Sequence, residues 1–121
     1  MENASLSLKT NLMTSERKWL FNGPKFKTSG VDHYVSEEIQ TAIWNYIEAR
    51  RSSGGVPLDY LQVFTLKPLQ KQGLSFQLIE CFQEVPEYRE EILIPMAEPI
   101  YEKLYIIDDI DHVVLLKANE Y

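Results

Sequence analysis

The strongest constraint on this 121-residue chain is a change of hydrophobic period at the small-residue run Ser52-Ser53-Gly54-Gly55. Before it, Ile39, Ala42, Ile43, Tyr46 and Ile47 recur at helical spacing and form one apolar stripe. Ser36 is suited to cap such a helix, and Glu37 and Glu38 suit its positive first turn. Arg50 and Arg51 suit the last turn, so the spacing predicts a helix from Ser36 to Arg51. Trp44 falls off the edge of the stripe. After the glycines the period drops to two. Leu58, Tyr60, Phe64 and Leu66 share one face, while Leu61 and Val63 take the other, the pattern of a central strand.

The later segments continue as strands. Lys67 to Gly73 reads as a loop because it holds Pro68 and Gly73. Leu74 to Val85 reads as a strand with Leu74, Phe76, Leu78 and Phe82 in phase, and Pro86 interrupts it. Tyr88 to Ile94, Ile100 to Ile107 and His112 to Ala118 complete the set, with Asp108 to Asp111 as the last turn. The expected class is α+β, one main helix packed on an antiparallel sheet of four to five strands, with the helix covering the buried face. Asn22-Gly23-Pro24 is a strong break. It divides an N-terminal extension, residues 1–22, from a single α+β domain, residues 23–121. Trp19 to Phe21 are expected to dock the extension, and residues 25–34 hold a short strand ending near Gly30.

Length and composition support one domain with an ordinary core: 45% of residues are hydrophobic and 25% charged. A single cysteine, Cys81, excludes an internal disulfide framework and fits a reducing compartment. The start lacks a basic stretch followed by an apolar run, and no run is long enough to span a bilayer, so a cytoplasmic location with no membrane association is expected. The net charge of −6 argues against direct binding of nucleic acid. That charge is unevenly placed. Residues 1–71 carry +2 and residues 72–121 carry −8, with apolar residues running all through the acidic half. The second half is therefore expected to be folded structure with an acidic outside.

Several segments resemble a known family. Leu58-Asp59-Tyr60-Leu61-Gln62-Val63-Phe64, Gln83-Glu84-Val85-Pro86-Glu87-Tyr88, Tyr105-Ile106-Ile107-Asp108-Asp109 and Asn119-Glu120-Tyr121 are similar to domain-of-unknown-function family nine-sixty of low-GC Gram-positive bacteria and their mobile elements. So is the helix stretch from Ile39-Gln40 through Trp44 to Ile47-Glu48. The resemblance covers residues 26–121. It implies a compact α+β domain in a bacterial cytoplasmic or phage-related setting, and it brings no activity and no site residues.

Specific chemistries find little support. Asp108-Asp109-Ile110-Asp111-His112 is the densest acidic cluster, but it lacks the central glycine of a calcium loop and reads as a turn. Cys81 with His33 or His112 could supply a nucleophile and base, but Cys81 lies mid-strand beside anionic Glu80, the wrong setting for a thiolate. No phosphate loop, nucleophile elbow or dinucleotide glycine pattern is present, and no cofactor is expected. The leading expectation is a non-catalytic interaction protein that meets a basic protein surface, such as a nuclease or another nucleic-acid-binding protein, in the manner of an anti-CRISPR inhibitor. Its contact residues would be Glu84, Glu87, Glu90, Glu91, Asp108, Asp109 and Asp111, with Trp44, Tyr101 and Tyr105 as aromatic anchors. The alternatives are a small carboxylate- or metal-dependent enzyme and a small-molecule sensor with a pocket between helix and sheet.

Overall fold

The structure, a computed structural model, describes residues 19–121. Of the expected extension, only residues 19–22 fall within the described residues.

The helix forms where the stripe requires it. Helix α2 spans Glu37–Ser53, and the Ser36 hydroxyl accepts a hydrogen bond from Ile39 N at 3.3 Å. It stops at Gly54, which is left-handed with φ 71°, a conformation that glycine adopts without steric cost. Ile39, Ile43 and Ile47 are fully buried, each contributing about 1.5–3 kcal/mol over an exposed side chain. A second helix, α1 (Ser29–Tyr34), precedes it where the sequence suggested the end of a strand. Thr28 caps α1 by accepting from Val31 N, and Val31 is buried.

The remaining chain forms six strands: β1 (Lys25–Lys27), β2 (Leu61–Lys71), β3 (Leu74–Gln83), β4 (Tyr88–Pro95), β5 (Glu102–Asp108) and β6 (Val113–Lys117). They make one sheet in the order β1-β6-β5-β2-β3-β4. Four pairings are antiparallel, but β1 lies parallel to β6, so the expected all-antiparallel sheet of four to five strands is corrected to a mixed sheet of six.

Two expectations about the central strands also change. Strand β2 does not end at Leu66. It runs to Lys71 and turns through Gln72 and Gly73, both at positive φ, as a two-residue hairpin requires. Pro68 fits because β5 pairs with β2 only as far as Leu66, so beyond that point β2 has a free side. Strand β3 has the opposite phase from that expected. Gln77, Ile79, Cys81 and Gln83 face the helix, whereas Phe76, Leu78 and Phe82 lie on the other face. The two glutamines explain this inversion. The Gln77 carboxamide holds the β4–β5 loop through Ile100 N at 2.7 Å and Ile100 O at 3.0 Å. Gln83 does the same for two other loops.

The core lies between the helices and one face of the sheet. Phe21, Val31, Ile43, Phe64, Ile106 and Leu115 are among its fully buried members. Phe21 anchors the segment entering the domain, and its backbone N–H donates to the buried Asp108 carboxylate at 2.9 Å. Neither α1 nor α2 covers the second face of the sheet, where Tyr121 packs on Tyr105 and Leu116 beside it is buried.

Candidate functional site

Strand directions decide where the acidic residues go. β2 and β6 begin at the same end of the sheet at which β3 and β5 finish, because neighbouring pairs are antiparallel. The β3–β4 turn, the β5–β6 turn and the entry to β2 therefore share one edge. Glu84, Glu87, Asp59, Asp109 and Asp111 gather there, although they span fifty residues of sequence. The strands from β6 to β4 make this rim about 19 Å wide at ordinary strand spacing.

The rim is held by side chains beneath it. The Gln83 carboxamide oxygen accepts from Gln62 Nε2 at 2.8 Å, Asp59 N at 3.1 Å and Arg50 Nη2 at 3.1 Å. Its amide nitrogen donates to Pro86 O at 2.8 Å and Pro57 O at 3.0 Å. Val85 N donates to the Asp59 carboxylate across the same end. Arg50 is buried and stacks 4.3 Å from the Tyr88 ring centroid, so its charge is spent inward. The Arg89 guanidinium bonds Glu87 at 3.3 Å, and His112 lies 3.8 Å from Asp109. Glu84 and Asp111 are exposed and make no ion pair among the described residues.

The other expected contact residues are divided. Asp108 is buried and accepts from Phe21 N and Ile110 N, both at 2.9 Å, so it acts inside the fold. Glu90 pairs in register with Cys81 and lies on the helix side, where a hydrogen bond from Tyr88 to Glu90 raises the Tyr88 pKa. Glu91 pairs with Glu80 and lies on the uncovered face. Tyr101 is exposed at the far end of the sheet, and Tyr105 sits on the uncovered face with Tyr121 edge-on at 5.5 Å. Trp44 is on α2, 5.9 Å from Lys25 Nζ, in an open cleft of about 420 Å³ that also meets Gln40 and Lys27. The three aromatics do not form one patch.

The nucleophile and base are also kept apart. Burial, followed by the Glu90 charge, pushes the Cys81 thiol up to about 12, so it is a neutral core group. His112 precedes β6, three strand positions and about 14 Å from β3, and its ring packs on Phe26. His33 packs on Tyr34 in α1. The Asp108–Asp111 carboxylates do not converge, and among the described residues no three of His, Cys, Asp or Glu are grouped to hold a metal ion. No helix among them is long and apolar enough to cross a membrane.

Sheet and helices together define a small α+β domain with a sheet covered by helices on one side and an acidic rim at one end. The chain belongs to the family described as Staphylococcal protein of unknown function (DUF960), whose model matches residues 24–120. A crystal structure of a protein of unknown function from Enterococcus faecalis has the same fold. Its TM-score is 0.69 at 20% identity, and the match covers 88% of this chain and 97% of that one. No curated protein matches.

Proposed function

We propose that this protein is a non-catalytic binding domain whose acidic rim engages a basic surface on another protein. The observation that carries this reading is the convergence of Glu84, Glu87, Asp59, Asp109 and Asp111 at one end of the sheet, where Arg89 offsets Glu87 alone and Arg50 is buried away from the rim. Like charges held on rigid turns raise the encounter rate with an opposite surface, and salt screens the effect. The opposite end has no such bias. There Lys117 pairs with Glu102 at 3.6 Å, and Lys71 stands beside the β2–β3 turn. A nucleic-acid-binding protein is the concrete form of such a partner. Inhibition of host defence by a mobile element would be one use of the surface, but neither the family nor the Enterococcus relative speaks to it.

The test is capture from a bacterial lysate at low and moderate salt, with the wild type beside a variant carrying Glu84→Lys, Glu87→Lys and Asp111→Lys. A control carries Glu37→Lys and Glu38→Lys on the helix. Proteins retained by wild type and control but lost by the rim variant, and released as salt rises, support the proposal. Retention that ignores the rim variant overturns it.

A further inference from the structure

We infer that the uncovered face of the sheet is where two copies of this chain associate, sheet against sheet, about a two-fold axis lying in the interface parallel to the strands. The inference is independent of the rim's role.

The register sorts the face into rows. One row reads Leu116, Tyr105, Val63, Phe82 and Arg89 across β6, β5, β2, β3 and β4. The next reads Lys103, Thr65, Glu80 and Glu91. Beyond it come Lys67, Leu78 and Leu93, then Leu69, Phe76 and Pro95. The rows that flank the charged one are apolar apart from Arg89 in the first and Lys67 in the third, and Lys67 neutralises Glu80 at 3.2 Å. Leu93 remains 42% exposed on the edge strand.

The charged row selects the partner. Its β5 end is positive at Lys103 and its β4 end negative at Glu91, and neither makes an ion pair among the described residues. The face is therefore complementary to itself in one arrangement. An axis parallel to the strands, between β2 and β3, places β5 of one copy over β4 of the other. Lys103 then meets Glu91 of the second copy at both ends of the row, and Val63 meets Phe82. An axis running along the row would set Lys103 against Lys103, so it is disfavoured. Aligned packing of two such faces is the ordinary geometry of a sandwich. Under this axis β6 faces no strand of the second copy and β5 reaches only the first two rows, so about twelve row positions overlap, a flat footprint of roughly 400 Å² per copy before side-chain relief. A standard interface buries about 800 Å² per partner, so this face supports a weak, transient dimer selected by its charges.

Sedimentation of the full chain over a concentration series tests this, with Lys103→Glu and Glu91→Lys made separately. The wild type should dimerise, and each single reversal should weaken self-association about tenfold, with the far-ultraviolet spectrum unchanged. An equal mixture of the two single variants should recover dimers, because each then supplies the charge the other lacks. Single reversals that leave association unchanged, or a mixture that recovers nothing, overturn the arrangement. So does a full chain that stays monomeric up to about 1 mM, the weak end of specific association. Cross-links from Lys9 or Lys18 to Lys103 within one monomer would then assign the face to residues 1–18.

Discussion

Replacing Gln83 with leucine should remove a large part of the stability of this domain, although the side chain changes little in volume. The cost comes from the donors left behind. Arg50 Nη2 and Gln62 Nε2 both reach the Gln83 oxygen in buried hydrogen bonds. An unsatisfied buried donor costs about 1–3 kcal/mol, and more when it is charged. Asp59 N, Pro57 O and Pro86 O also lose their partner, but these bonds are only part-buried, so water can replace them. Arg50 keeps its bonds to Tyr46 Oη and Val56 O, both at 3.1 Å, which limits its loss. The expected penalty is about 3–5 kcal/mol out of a total of roughly 5–15 kcal/mol. Urea unfolding followed by tryptophan fluorescence measures it. Gln70→Leu, at an exposed position on β2, is the control and should stay within about 0.5 kcal/mol of wild type. Arg50→Met closes a double-mutant cycle, in which Gln83 and Arg50 should show a coupling of about 1–3 kcal/mol. A Gln83→Leu loss below about 1 kcal/mol, or no coupling to Arg50, would refute the claim that this carboxamide holds the rim together.

Two further outcomes follow from groups that titrate. The Cys81 thiol should react with a thiol reagent only as fast as the domain opens. Its folded-state pKa is raised, so its contribution to stability should be complete below about pH 9 and lost as pH climbs toward about 12. Labelling within seconds in native buffer would contradict this. Hydrogen bonds from Thr28 Oγ1 at 2.7 Å and Lys117 N at 2.8 Å hold the Glu120 carboxyl below its ordinary pKa. The stability difference between wild type and Glu120→Gln should thus be constant above the unfolded carboxylate pKa and shrink as pH falls through the folded value. Parallel stability curves down to pH 2 would disprove that linkage.

The helix was legible because every signal for it is local. Ser36, the isoleucine stripe and Gly54 each act within a few residues, and all three act as expected. The existence of the later strands was legible for the same reason. Which face of β3 is buried was not, because Leu78, Ile79, Cys81 and Phe82 offer apolar choices on both sides. The selection is made by Gln77 and Gln83, whose partners lie in loops 23 to 26 residues away. Helix α1 was missed because Gly30 reads as a breaker, whereas here it lies in the first turn, under the Glu120 carboxylate. Sequence showed that residues 72–121 carry the excess of acidic residues. Only strand order could show that Asp59, Glu84 and Asp111 reach the same rim, and that Glu90 and Glu91 part to opposite faces.

The parallel pairing of β1 with β6 sets a timetable for synthesis. Lys25 to Lys27 must wait for Val113 to Leu115, and the Phe21 amide meets the Asp108 carboxylate 87 residues later in the chain. At about 5–20 residues per second, a ribosome leaves these early segments without partners for roughly 4 to 18 seconds. The hairpin of β2 and β3 can form in that interval, but the isoleucine stripe of α2 then has only part of its sheet to lie on. Nascent chains of this topology therefore present apolar surface to the cell until β5 and β6 emerge. Pausing within the codons for β5 or β6 would lengthen the period in which chaperones and proteases compete for the chain.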